Sequence, residues 1–363
     1  MGRFTKAVLA GALTGAGVWL MSAQTQNGKT LTSVYENNDF QITGVTVSKS
    51  GRLFVNFPRW SDKYLNAVVE VLEDGSVKPY PDEFWNRWDR KPDSAGKQFV
   101  CVQSVVADDQ DSLWAVDPAA PMMAAVVPGG PKIVQISLSK NQVVHVFPLG
   151  ADVVKPGSYL NDIRIDTKNN VAYLTDSGVG AIIVLDIGSG KAHRVLEGHQ
   201  STKPEQGIAI GVNGKPVVAA NGKPPQIAAD SIALSHDGEY LYYKPLTGAV
   251  VYRVKTSALR EGGASAGSAV EKVADAFPTD GFWMDAQDTL YLSNINESAV
   301  YRMPKNGKLE KLLSDKRLVW PDTFSQGPDG SIYITASHIN DAPQYNKGRS
   351  TRTMPYAVFK FRP

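Results

Sequence analysis

Apolar and polar positions alternate with a period of two along this chain, and the alternating stretches recur six times, at 42–60, 100–118, 159–177, 228–246, 278–296 and 320–338. In each copy a polar residue opens a short apolar strand, a turn of the D-x-x-G or K-S-G kind follows, and a second apolar or aromatic strand returns, as in TDGFWMDAQDTLYLSN. Period-two alternation around a turn predicts a β-hairpin. Anchored on Ser48, Asp108, Asp166, Ser235, Asp285 and Gly327, the copies lie 60, 58, 69, 50 and 42 residues apart. Such intervals suit four-stranded blades with loops of unequal length, so the pattern predicts an all-β, six-bladed β-propeller.

A third strand is expected just after each hairpin, at 67–72, 132–138, 181–187, 250–255, 298–303 and 357–362. The segment LTSVYE at 31–36 is placed to supply the outer strand of the last blade. Joining the two chain ends in one sheet would remove an exposed sheet edge. Long insertions at 81–96, 197–229 and 340–355 are the loops expected to carry specificity on such a scaffold. The run EGGASAGSA at 261–269 reads as flexible linker.

The first 23 residues change the picture of the chain as a whole. Arg3 and Lys6 precede an uncharged, largely apolar stretch from Ala7 to Met21, followed by the small residues Ser22 and Ala23, the pattern of an export signal. The stretch is short of the roughly 20 residues a membrane span needs, although retention as an anchor is the alternative. The expectation is a secreted or periplasmic protein, with one propeller domain over 24–363 and no stable membrane insertion once the signal is cleaved. Removing the signal takes two of the 38 basic residues and none of the 36 acidic ones, leaving 36 of each. A balanced domain without a Lys/Arg stripe has no electrostatic footprint for nucleic acid. The pattern does not specify an oligomeric state.

Cys101, the sole cysteine, excludes an intrachain disulfide and sits in the apolar run FVCVQSVV, as a buried structural thiol does. The five histidines fall outside any metal-ligand spacing.

The candidate chemistry comes from comparing the copies position by position. Five residues before each anchor stand Thr43, Gln103, Asn161, Asp230, Asp280 and Asp322, all polar; Asp162 follows Asn161. The innermost strand of each blade lines the central channel, so these side chains are expected to converge on the axis. Two uses fit them: a small-molecule or cation site, or caps that bond the backbone of neighbouring blades. A hard divalent cation such as Ca2+ takes carboxylate and amide oxygens, and Asn161, Asp230 and Asp280 are its candidate ligands. For a small molecule, Thr43, Gln103, Asn161, Asp162 and Asp322 are the candidate polar contacts, with Trp283 or Phe324 against its ring. Proton transfer would need an acid/base pair, for which Asp230 and Asp280 are the candidates.

The stretches GRLFVNFPRW, SLWAVD, PKIVQISL, YLNDIRIDTKNNVAYLTDSGVGAIIVLDIGSGKAHRVL, IALSHDGEYLYYKPL, TDGFWMD and LVWPDTF together resemble the major royal jelly protein/yellow family, from about Leu31 to the C-terminus. The resemblance implies a secreted six-bladed propeller. Its members range over dopachrome conversion, binding of biogenic amines in the channel, and nutritional or structural roles, so it implies a site without fixing a reaction. Insect members usually carry disulfides, which this chain lacks. A more distant resemblance is to the gluconolactonase and senescence-marker propellers, whose metal is held by a Glu in the first blade and by Asn and Asp in later ones. Thr43 stands in the place of that Glu, and Asn161, Asp230 and Asp280 match the later positions, Asp230 replacing an asparagine. The resulting expectation is a propeller that binds a small amine-bearing or hydroxylated aromatic molecule in its channel and at most acts on it as a tautomerase. The alternatives are a metal-dependent lactonase or esterase and a non-catalytic binding or scaffold protein.

Overall fold

A computed structural model describes residues 24–26 and 29–363; the signal segment 1–23 lies outside the described residues. Six antiparallel sheets follow one another in chain order around an axis. The blades open on the strands Gly44–Val47, Ser104–Ala107, Leu160–Asp166, Ala229–Leu234, Phe282–Met284 and Pro321–Gln326, which are the innermost ones. The expected third strands are present in all six blades. The outermost strands of blades 1 to 5, Val77–Pro79, Gln142–Pro148, Ala192–Val195, Val270–Asp275 and Glu310–Ser314, were not legible in the pattern. Most of their residues are exposed or half-buried, so little apolar alternation marks them.

Blade 6 closes as the sequence predicts. The strand Lys29–Asn37 pairs antiparallel with Tyr356–Phe361, with Thr32 opposite Lys360 and Asn37 opposite Tyr356. The two chain ends thus share one sheet, and the ring has no open edge at its seam.

Adjacent residues on one strand belong to different cores, which is why the motif strands are apolar at nearly every position. In Ser112–Asp117, Leu113 and Ala115 pack with Phe54, Val68 and Tyr80 of blade 1, whereas Trp114 and Val116 pack with Ile163, Leu174 and Ile183 of blade 3. The same division repeats around the ring, and the last core joins Tyr35 and Val358 of blade 6 to Val45, Val55 and Val69 of blade 1. The anchors recur because they close the hairpin turns. Asp108 Oδ1 accepts from the N–H groups of Gln110 and Ser112 at 2.9 and 2.8 Å, and Asp285 Oδ1 does the same for Gln287 and Thr289.

The inner strands are tied blade to blade by hydroxyls. Thr43 donates to Gln103 O at 3.0 Å, Thr175 to Asp230 O at 2.8 Å, Ser231 to Thr279 O at 2.9 Å and Thr323 to Thr43 O at 2.9 Å. The capping use of the polar tier is therefore present at Thr43, and at Ser231 and Thr323 one position further on. Close approach also explains the glycine at 281: a Cβ there would sit 1.8 Å from Asp322 O, a backbone atom that cannot move alone. A Gly281→Ala variant is expected to lose about 3 kcal/mol or more of stability, read as a lowered denaturant midpoint.

The stretch expected as linker at 261–269 folds instead. Gly263–Ser268 is helical, and Ala266 is buried with Leu259 against blade 4. Alanines spaced between glycines and serines supply just enough apolar surface once a neighbouring sheet is there to cover it. Cys101 is buried, and burial pushes its thiol up to about 12, as a structural cysteine requires.

Candidate functional site

All six innermost strands run the same way along the axis, so their starts gather at one mouth of the channel and their ends at the other. At the first mouth lies a cavity of about 490 Å³. Gln103, Asn161, Asp230 and Asp280 reach it from the strand starts; Trp60, Tyr159, Trp320 and Tyr345 wall it. Tyr345 comes from the long insertion 340–355 and Ile227 from 197–229, as loops on a rigid scaffold were expected to contribute. The insertion 81–96 does not reach this cavity: its Trp85 packs on Phe99 at 5.1 Å and its Trp88 lies near Arg59.

The structure does not bring all the candidate site residues together. Trp283 and Phe324 line a different cavity, at the opposite mouth, so neither ring faces the carboxyl groups of Asp230 and Asp280. The reason is register: Trp283 lies three positions beyond Asp280 along extended strand, about 10 Å further along the axis. Thr43, Asp162 and Asp322 are buried between the two cavities without lining either. The Thr43 hydroxyl is committed to Gln103 O, and Ser337 donates to Asp322 Oδ2 at 3.0 Å.

Asp280 is the hub of the cluster. Trp320 Nε1 donates to its Oδ2 at 2.6 Å. Burial raises the Asp280 carboxyl to about 6, held from going higher by hydrogen bonds from Asp230, Trp320 and Asp322. Burial, and then the Asp280 charge, push Asp230 well above the ordinary carboxylate range, and Asp322 likewise. Burial and the mutual repulsion of these carboxyls shift Asp230 and Asp322 towards the protonated form. Asp230 Oδ1 is buried without a hydrogen-bond partner among the described residues. Asp162, also raised by burial, is 3.9 Å from Arg164.

Lys244 completes the electrostatics from the second strand of blade 4. Its ammonium donates to Pro245 O at 2.7 Å and to Leu246 O at 3.4 Å, and burial lowers its pKa to about 7 despite the attraction of Glu205, Asp230 and Asp280. A buried base with a lowered pKa favours the neutral form in the folded state. Its cost to stability is therefore complete below about pH 7 and disappears as pH climbs towards 10.5, its ordinary value. Denaturant midpoints of the wild type should include a rise across that window, and Lys244→Met should lack it.

The donor set does not fit a divalent cation. The first-blade position offers a threonine hydroxyl already bonded to a backbone carbonyl, and Asp280 Oδ2 is occupied by the Trp320 N–H. Among the described residues no group of three or more His, Cys, Asp or Glu side chains is disposed to hold a metal ion. Asn161, Asp230 and Asp280 do share the cavity.

A family model described as major royal jelly protein matches residues 100–337, well over half of the chain. The chain belongs to the major royal jelly protein family. Comparison with curated protein sequences gives no match. Among solved structures, this member of the family is similar to a gluconolactonase from Xanthomonas campestris, at 12% identity over 93% of this chain and 90% of that one with a TM-score of 0.56. It is also similar to a luciferin-regenerating enzyme, at 11% identity over 93% and 96% with a TM-score of 0.55. A calcium-binding regucalcin from Agrobacterium tumefaciens matches at 14% identity over 90% and 93%, with a TM-score of 0.53. At such identities the likeness establishes the six-bladed fold. No helix among the described residues is long and apolar enough to cross a membrane.

Within this royal jelly family chain, four residues of the site escaped the reading of the sequence. Tyr159 and Trp320 open their motif copies two residues before Asn161 and Asp322, an aromatic pair at one register that could have marked the cavity wall. Trp60 Nε1 donates to Tyr159 Oη at 2.9 Å, which in turn donates to Gln103 Oε1 at 3.0 Å, fixing the wall to the polar tier. Lys244 interrupts the apolar strand YLYYKP, and a charge inside a strand buried on both faces was the available signal.

Proposed function

We propose that this protein is exported and that the cavity at the first mouth binds a small molecule with an amine or hydroxylated aromatic portion, within which Asp230 and Asp280 move a proton. The observation that supports this reading is the Asp230–Asp280 pair, both carboxyls raised by burial and Asp230 the further, at the floor of a cavity walled by aromatic rings. Trp60, Tyr159 and Tyr345 offer faces and edges for a planar substrate, with Trp320 buried behind Asp280. Asp280 takes a proton from one atom of the substrate while Asp230 gives its proton to another, a 1,3-shift that consumes no oxidant or reductant. The two carboxyls end with their roles exchanged, and return of the proton from Asp280 to Asp230 resets the pair. The chemistry is that of a tautomerase, and it needs no metal.

Calorimetry with dopamine and tryptamine, together with an assay of dopachrome decay, tests both parts. Binding with turnover is expected. Binding without turnover in wild type would leave a binding protein and remove the proton-transfer step, and absence of both would remove the reading. Turnover should survive treatment with a chelator; a chelator-sensitive lactone hydrolysis would instead restore the metal-dependent alternative.

A further inference from the structure

The opposite mouth of the channel holds a second cavity, of about 600 Å³, bounded by the ends of the innermost strands and the hairpin turns that follow them. The tier two residues before the anchors reads Thr46, Val106, Arg164, Ala233, Trp283 and Ser325, so Arg164 is its one charged member. Thr46 and Ser325 are committed to the backbone between blades, accepting from Ala107 N and Val47 N, each at 2.9 Å. Arg164 is the polar side chain that remains to face the cavity, beside Val106 and Trp283.

Arg164 is 11% exposed at its side chain, and burial lowers its pKa. Its guanidinium donates to Ile163 O and to Phe282 O, both at 2.6 Å, and lies 3.9 Å from Asp162, beyond hydrogen-bond distance. A guanidinium carries five N–H donors, and among the described residues its others meet no acceptor. Arg164 is a largely buried cation that faces this cavity with donors to spare, its carboxylate partner Asp162 lying beyond hydrogen-bond reach. Beside it Trp283, half-buried and 5.4 Å from Tyr291, presents a flat apolar wall continued by Phe324 and Leu234.

The rim carries aspartates, but most are already used. Asp108, Asp237 and Asp285 each bond backbone N–H groups of their own hairpin turn, and Asp166 bonds Asn169 N and its side-chain amide. Asp109 remains exposed at the edge, opposed by exposed Lys168. Hydrogen bonding leaves these carboxylates charged, so the rim is acidic and Arg164 is the cationic point on the floor.

We infer that this second cavity is a binding site for a planar aromatic carboxylate, its carboxylate on Arg164 and its ring against Trp283. It is separate from the Asp230–Asp280 cavity and does not rest on the function proposed there. Calorimetric titration with indole-3-acetate, with indole-3-acetamide as its uncharged counterpart, tests it. The acid is expected to bind with a Kd below about 1 mM and the amide at least about tenfold more weakly. Arg164→Gln should weaken the acid at least about tenfold towards the amide, and Trp283→Leu should weaken acid and amide alike. Equal binding of acid and amide, an unchanged Kd in Arg164→Gln, or no heat up to ~10 mM would overturn the inference. If Arg164→Gln does not fold, the acid/amide ratio and Trp283→Leu decide the matter, since an unchanged Kd in Trp283→Leu places the acid elsewhere and overturns it too.

Discussion

Asp280→Asn is expected to lower turnover at the first-mouth cavity by about 10²- to 10⁴-fold, the usual worth of a positioned general base. The amide keeps the size of the side chain and can still accept from Trp320 Nε1, so the cavity should hold its shape and ligand affinity should change far less than rate. The base must be ionised to act. With Asp280 raised to about 6, kcat/KM should climb with pH through about 6 and fall again only where the protonated partner Asp230 loses its proton. A variant with unchanged kcat, or a profile flat between pH 5 and 7, would remove Asp280 from the chemistry. The same shift has a consequence for stability. A carboxyl whose folded pKa lies above its unfolded value of 3.8 stabilises the fold fully below that value and loses its contribution as pH rises through about 6.

Removing residue 37 and all that precede it should cost the fold more than about 5 kcal/mol, comparable to the whole stability of many domains. The strand Lys29–Asn37 buries Leu31 and Tyr35, and Leu31 by itself contributes about 1.5–3 kcal/mol. Its loss also strips the pairing from Tyr356–Phe361, opening the seam between first and last blade and exposing a sheet edge that recruits other chains. The expected readout is a lost or strongly lowered cooperative transition in thermal denaturation, accompanied by aggregation. Survival of a wild-type transition would show that five strong blades and a weakened sixth suffice, and would contradict the role given to closure.

The blade count, the third strands and the seam were legible because each depends on local alternation and on turn chemistry, which the chain states directly. Asp108 and Asp285 show why: the residue that marks the repeat is the one that closes the turn. The outer strands and the helix at Gly263–Ser268 were not legible, because their few apolar residues acquire meaning only when a neighbour covers them. The polar tier was found from register, but register gives height along the axis only approximately. It grouped Trp283 and Phe324 with carboxyls that open onto the other mouth.

By itself the sequence determined the six-bladed all-β fold, its closure by the two chain ends, and the set of polar residues that meet at the axis, since periodicity and turn residues act over a few positions. Only the tertiary structure decided that burial raises Asp230, Asp280 and Asp322 together, that Trp320 and Lys244 belong to the site, and that the channel has two unlike mouths. Protonation depends on burial and on charges brought in from other blades, and those distances exist only once the ring has closed.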